Sequence, residues 1–538
     1  MFNKLKRFID SIETLQISLG WWLVAFFSII AIRNFLEGAL EKVKTIGCET
    51  DPFMAIVVFF GHYPLLYVSQ FLILAVIVRL LTRERIEKIS KTLIVFWIIW
   101  FPPIFDFIWS AGRGENLTYA HTLEELWTFF VNCANPTMGF PDMVSPGIRV
   151  EFIIASLLAI TYVFVKTRSI IKSLLGAVLF YASLIFYVFG FPALIALAWH
   201  GLFPNLPPVY EGTLPYEQVY YSRSLISNAA QPITLLYLMV TILGLLAWYF
   251  LYDRSRCLAL IKNIRLTRSI HYCGLTLGGI LLAYQAEGVN FPGVFSNPID
   301  YLAGVSLCLS VFFAFQAMIV ANDIVDVEAD RISNPNRPLA QGAIPVGEYK
   351  TIGWIYFLLS IGLAFNVSIT AMFITLFFNA LYLVYSAPPL RIKRFFPLNM
   401  MVIGINSTVA MLLGYSLFGG VKTVDKFPTE FMLLIPLGFF LAANIITIKD
   451  IESDRRTGVL TLPALLGEKW GKAVIALLAL GSFLCVPWLL EIPKLWPLAV
   501  AFGILAGLLV LMRKWYETLF FVTYFIYALA AVYYYVNR

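Results

Sequence analysis

About fifteen apolar runs, each about 20 residues long, dominate this sequence, and that is the length at which a helix crosses the ~30 Å hydrocarbon layer of a membrane. Six lie near 16–36, 52–80, 92–110, 148–165, 174–199 and 226–251. Nine more lie near 270–286, 300–320, 351–365, 367–385, 398–418, 430–448, 472–489, 495–512 and 516–535. A chain built this way must satisfy its backbone hydrogen bonds within each segment, which predicts an all-α polytopic membrane protein. Composition agrees: 60% of the 538 residues are hydrophobic and only 13% charged, against about 25% charged in an average soluble domain. A water-soluble enzyme, a disordered chain and a nucleic-acid binder are excluded on that balance, and a net charge of +7 is too small to argue otherwise. Thirteen Trp, 27 Tyr and 46 Phe suit aromatic belts at the membrane surfaces. Six Cys without a CxxC pair and four scattered His predict no Cys/His metal site. The basic start Met1–Arg7 runs into a segment long enough to span, and no small-residue cleavage site follows, so it is not read as a cleavable signal.

Basic residues set the orientation. In the first half, segments 1–15, 79–91, 166–173 and 253–268 hold 16 Lys/Arg, against five in 37–51, 111–149 and 201–225. In the second half, 321–350, 386–397, 449–472 and 513–514 hold 13, against four on the opposite side. This alternation predicts a cytoplasmic N-terminus and an extracytoplasmic C-terminus. The basic segment 253–268 is the natural linker between an N-terminal six-span membrane domain, 1–252, and a second domain, 269–538.

Acidic residues are rare, and an ionised carboxylate within a span costs about 2.5–3.5 kcal/mol even on lenient scales. Yet seven of the 32 acids fall in just two short segments, 322–331 and 449–456, each at the cytoplasmic end of a span. Asn322, Asp326 and Asp330 are spaced i, i+4, i+8, and Asp450 and Asp454 i, i+4, so each set shares one helix face; Asp323 sits three before Asp326. Like charges in such columns destabilise a bare helix. A divalent cation between them reverses the sign, and Mg²⁺ commonly bridges carboxylates to substrate phosphates. The segment Asn334-Pro-Asn-Arg337 and the loop Tyr385-Ser-Ala-Pro-Pro-Leu-Arg391-Ile-Lys393-Arg394 add cations suited to a diphosphate.

These residues resemble the UbiA-type intramembrane prenyltransferases: the Asn-Asp-x-x-Asp-x-x-x-Asp run at 322–330, the Tyr-Ser-x-Pro-Pro-x-Arg loop at 385–391, the Asp-x-x-x-Asp run at 450–454, and its tail Gly458-Val-Leu-Thr461-Leu-Pro463 with Gly467. The resemblance covers about 265–538 and implies a C-terminal nine-helix UbiA-like bundle beside the six-span N-terminal domain. It implies Mg²⁺-dependent transfer of a prenyl group from a polyprenyl diphosphate to a lipophilic acceptor, with diphosphate release at the cytoplasmic face. The acceptor would be an aromatic quinone or chlorophyll-type precursor or a glycerol-phosphate lipid; Asp330–Leu339 and Lys449–Asp454 look more like the lipid, tocopherol and chlorophyll branches. Carried over residue by residue, the metal positions are Asn322, Asp323, Asp326, Asp330, Asp450 and Asp454, and the diphosphate partners are Asn322, Arg337, Arg391 and Lys393. The five Asp residues and Tyr385 are the expected catalytic groups. Tyr356, Phe378 and Tyr382 are further aromatic candidates to stabilise an allylic cation.

The first half carries no such motif. Its acids Asp51, Asp106, Glu124, Glu125, Asp142, Glu151, Glu211 and Glu217 read as outer loops and span ends, Arg33 as a snorkelling side chain, and a Cys48–Cys133 disulfide is topologically permitted. Three readings of the whole chain stay open: a prenyltransferase with a lipid-handling helper, a bifunctional enzyme, or a transporter or scaffold that binds Mg²⁺-phosphate headgroups.

Overall fold

The computed structural model describes residues 2–40, 61–110, 120, 122–134, 144–191, 193–194, 197, 230–287, 298–418, 425–451, 455, 460–512 and 517–537. Among these there is no strand, so the protein is an all-helical polytopic membrane protein. Thirteen of the described helices are long and apolar enough to cross a membrane. Two further helices, Leu266–Glu287 and Val346–Phe365, stand where spans were expected but fall short of that apolarity. The first carries Arg268 and His271 and the second Glu348 and Lys350 in its opening turns.

The chain forms two compact units. Met1–Thr213, Tyr221–Leu258 and Phe295–Asp300 make up the first, and Leu214–Tyr220, Ala259–Val294 and Tyr301–Arg538 the second. In the first unit six candidate spans follow an amphipathic helix, Phe2–Thr14, which buries Ile9 and Ile12. Two of its turns close on an arginine in the left-handed region, Arg83 (φ 59°) and Arg168 (φ 57°), each donating its N–H to the carbonyl four residues back, at 2.9 Å in both cases. Arg33 does not snorkel. It is 4% exposed, because Glu37 one turn on gives its guanidinium a carboxylate partner and the rings of Tyr63 and Tyr67 flank it at 5.3 and 5.5 Å. Cys133 is a buried free thiol; Cys48, Asp51, Asp142, Glu211 and Glu217 lie outside the described residues.

The second unit packs its helices through small residues, as expected where lipid removes any hydrophobic gain from bringing helices together. The helix Trp496–Leu511 shows the division. Ala499, Gly503, Ala506 and Gly507 are buried, while Val500, Ile504, Leu508 and Leu511 face outward and are all more than 40% exposed. The closest approach joins Leu266–Glu287 to Leu398–Tyr415. A Cβ on Gly414 would stand 1.8 Å from the Thr276 carbonyl oxygen, and one on Gly279 1.9 Å from that of Met411. Thr276 Oγ1 lies 3.0 Å from the Ala410 carbonyl and donates across the same crossing. This contact fixes the helix that opens the second unit against the centre of its bundle.

Gly414→Ala and Gly279→Ala should each lower the thermal unfolding midpoint in detergent, by the equivalent of about 1–3 kcal/mol of overpacking. Gly278→Ala, whose Cβ would meet only Met411 Cε at 3.9 Å, should stay within about 0.5 kcal/mol of the parent.

Candidate functional site

The site lies in the second unit, where the helix Pro298–Val325 gives way at Asp326 to the short helix Val327–Ser333. The hydrogen-bond ladder continues through the join, with Asp326 N–H on the Asn322 carbonyl at 2.9 Å and Asp330 N–H on that of Asp326 at 2.8 Å. Asn322, Asp326 and Asp330 therefore stay on one face, and all three line a cavity of about 260 Å³. Arg265, Arg268, Arg337, Arg391 and Lys393 share its polar end; Tyr272, Phe315, Tyr382 and Tyr385 form an aromatic wall.

Cations hold each carboxylate. Arg391 Nη2 donates to Asp326 Oδ1 at 2.6 Å, and Lys393 bonds Asp326 Oδ2 and the Asn322 amide oxygen, the latter at 2.8 Å. Arg337 bonds Asp330, and Asn334 Nδ2 donates to Asp330 Oδ1 at 3.2 Å. Arg391 is placed by a left-handed backbone (φ 43°) and by its own N–H on the Ala387 carbonyl at 2.9 Å. Leu460 N–H, donating to the Arg394 carbonyl at 3.0 Å, ties this loop to the tail of the second acidic motif. Burial pushes the Asp330 carboxyl above the ordinary aspartate range, with Arg337 pulling the other way. Burial likewise lowers the Lys393 ammonium against the opposing pull of Asp326. The Arg391 Nε–H is buried and finds no acceptor among the described residues.

Asp323 is set apart. It is 1% exposed and is not part of the cavity wall. Its Oδ1 accepts from Arg265 at 2.9 Å and Arg337 at 3.1 Å, and its Oδ2 from Asn263 at 3.0 Å and the Tyr349 hydroxyl at 2.9 Å. Four donors saturate the carboxylate, so it serves here as the anchor of two site arginines. Tyr356 packs on Phe313 at 5.6 Å, away from the cavity, and Phe378 lies behind the wall, edge-on to Tyr272 at 5.3 Å. Asp450 ends the tight helical segment Ala443–Asp450; its side chain, and all of Asp454, lie outside the described residues. Among the described residues no three acidic, His or Cys side chains form a metal cage of their own.

Arg265, Arg268, Tyr272 and Phe315 were not singled out in the sequence. Arg265, Arg268 and Tyr272 are spaced i, i+3, i+7 at the start of the helix Leu266–Glu287, so they share a face. That spacing was the available signal, and it was absorbed into a basic linker.

A second cavity of about 360 Å³, almost wholly apolar, shares His271, Phe439, Ala442, Phe520 and Tyr524 with the first. Its wall continues along Glu517–Val536 to Val536, about 24 Å from Phe520 at the helical rise.

A family profile described as the UbiA prenyltransferase family matches residues 273–534, and the N-terminal half has no family match. The chain is 30% identical over 200 residues to the digeranylgeranylglyceryl phosphate synthase of Methanocaldococcus jannaschii, covering 37% of this chain and 68% of that protein. The chain belongs to the UbiA prenyltransferase family. The synthase of the same name from Methanosphaera stadtmanae is 36% identical over 188 residues, covering 34% of this chain and 62% of that protein. Among solved structures, a UbiA homologue from Archaeoglobus fulgidus bound to GPP and Mg²⁺ is 17% identical and covers 52% of this chain and 98% of its own, with a TM-score of 0.40. Family membership makes the second unit a prenyl-transferring enzyme.

Within this UbiA-type site, Asp323→Ala would take the carboxylate from Arg265 and leave Arg337 with Asp330 alone. It should lower folding stability by about 3–5 kcal/mol, the scale of breaking a buried pair. Asp326→Ala should cost clearly less, because the Asp326 side chain is 14% open against 1% for Asp323 and accepts from two side chains rather than four. Thermal unfolding of the two variants side by side measures the difference.

Proposed function

We propose that the second unit transfers a prenyl group from a polyprenyl diphosphate to a lipophilic acceptor of the glycerol-phosphate lipid class. The observation that carries this reading is the cavity itself. It gathers hard oxygen donors and five cations, is lined with aromatic rings, and shares a wall with a second, apolar cavity. A diphosphate needs the first, an allylic cation the second and a prenyl tail the third. The names of the two archaeal relatives, both digeranylgeranylglyceryl phosphate synthases, favour the glycerol-phosphate class of acceptor.

The polar end suits a hard divalent cation held largely by ligand phosphates, because its acidic face offers only amide and carboxylate oxygens. Mg²⁺ would be held by Asn322, Asp326 and Asp330 with Asp450 and Asp454 of the second motif, and when bound it neutralises charge on the leaving diphosphate. Arg391, Lys393 and Arg337 bind the phosphate oxygens, and the unsatisfied Arg391 Nε–H adds a donor that an oxyanion would fill. Charge neutralisation in this poorly hydrated setting lets the C1–O bond break with its electron pair leaving on the diphosphate. The faces of Tyr272, Phe315, Tyr382 and Tyr385 stabilise the allylic cation. The acceptor oxygen then bonds to C1 and gives up its proton to a carboxylate at the polar end. Asp323 acts through Arg265 and Arg337 as a positioning residue. On the distribution of basic residues, the polar end faces the cytoplasm.

The test uses the purified full chain, geranylgeranyl diphosphate, a glycerol-phosphate lipid and Mg²⁺. Mass spectrometry should show the prenylated lipid, and a coupled assay should show diphosphate release that stops on chelation with EDTA. Asp326→Asn and Asp454→Asn should each reduce release by about 10²-fold, the scale of losing one charge-stabilising group. Undiminished release in well-folded variants would sink the proposed roles of the acidic motifs. Product on an aromatic acceptor alone would redirect the acceptor class.

A further inference from the structure

The first unit contains ionisable groups that prenyl transfer does not use, on its spans and on the amphipathic helix Phe2–Thr14. Glu151, Ala155, Ala159 and Tyr162 form one stripe of the helix Pro146–Thr167 and line a cavity of about 40 Å³ together with Gln70 and Thr92. Beyond the Glu151 end sits the buried pair Arg33–Glu37, with Arg33 within electrostatic reach of Glu151. Among the described residues Glu151 makes no hydrogen bond. Beyond the other end, the Tyr162 hydroxyl donates to Glu13 Oε1 at 2.9 Å. Lys166 then bonds Glu13 at 2.8 Å and Asp10 at 3.1 Å, and the Asp10 side chain is 45% exposed.

From Glu151 to Lys166 the stripe covers about 22 Å at the helical rise, most of a ~30 Å hydrocarbon layer. The cavity in the gap has room for about two or three waters and no more, which excludes a lipid or a hydrated metal ion as its occupant. Water and proton-exchanging side chains in series, with an exposed carboxylate at one end, are what proton hopping requires. Ionisable groups inside spans mark such relays more often than they stabilise a fold.

We propose that the first unit conducts protons along this stripe. A proton taken up by the Glu151 carboxylate passes through cavity water to the Tyr162 hydroxyl oxygen as Tyr162 releases its own proton to Glu13. Lys166, bonded to both acids, gives a proton to Asp10 and takes the one on Glu13, and Asp10 releases its proton to solvent. Arg33, bonded to Glu37, lies within electrostatic reach of the Glu151 carboxylate at the head of the stripe. This function is independent of the reading of the second unit.

The experiment reconstitutes the full chain into phosphatidylcholine–phosphatidylglycerol vesicles with an internal pH dye. A potassium gradient with valinomycin supplies the driving potential. The parent protein should acidify the lumen at least tenfold faster than protein-free vesicles. Glu151→Gln and Tyr162→Phe should each return the rate to near background, Glu151→Asp should restore part of it, and the exposed Glu124→Gln should leave it unchanged. Diphosphate release, read on the same preparations, should be equal in all of them. Parent flux at the protein-free rate overturns the proposal, as does undiminished flux in either Glu151→Gln or Tyr162→Phe. Should Glu151→Gln fail to give monodisperse protein, Tyr162→Phe, which keeps the ring and removes only the hydroxyl, decides the matter.

Discussion

A carboxylate sealed inside an apolar helix bundle is tolerable only when its lone pairs are filled, and the second unit is arranged around one such group. Asp323 takes donors from Asn263 and Arg265 before the first helix of the unit, from Arg337 beyond the short helix, and from Tyr349 on the next span. Segments separated by as many as 86 residues converge on two oxygens. The consequence for the site is indirect and large. Arg337 Nη1 bonds both Asp323 and Asp330, so Asp323 helps hold it at the cavity wall, and Arg265 is held at the same wall by its own bond to Asp323. Asp323, one of the six motif positions, thus organises the cations around the cavity.

The part of this site that obeys helical periodicity was legible in the sequence. Asn322, Asp326 and Asp330 share a face because i, i+4, i+8 spacing requires it, and the ladder survives the break at Asp326. The loop cations Arg391 and Lys393 reach that face as their charge suggested. The same rule separates Asp323, one residue off the column, from that face. What stayed hidden depends on tertiary approach. Arg265 and Arg268 looked like a cytoplasmic anchor because nothing local says that Leu266–Glu287 must lie against the acidic helix. Gln316 Nε2 donating to Ser269 Oγ at 2.8 Å and Tyr272 packed on Phe315 at 5.0 Å make that contact, while Gly279 and Gly414 set the same helix against Leu398–Tyr415. A glycine in a span carries no sign of which partner it touches.

The positions of the spans were legible for a similar reason: apolar length is a local property. Their uneven quality was not. Leu266–Glu287 and Val346–Phe365 are less apolar than the rest, and both carry site residues, Arg268 with Tyr272 on one and the Asp323 partner Tyr349 on the other. The sequence gives up membrane affinity on the helices that build the polar end.

The two units handle intramembrane charge in opposite ways, and the difference bears on what the first unit does. In the second, acids and cations collect at span ends, where loops and solvent share their solvation. In the first, Arg33 and Glu13 are almost fully buried, and Glu151 lines an internal cavity. Replacing a buried ion pair with well-packed apolar groups is often neutral or stabilising, and within lipid the penalty for keeping one is greater. Glu13 and Lys166 tie the helix Phe2–Thr14 to the end of a span, but Glu151, inside its span and outside any ion pair among the described residues, is not explained by packing. Glu151, Tyr162 and Lys166 align on one face of their helix, with a water-sized space between the first two and Glu13 of the neighbouring helix bonded to the others, and that series supplies the rationale that packing does not.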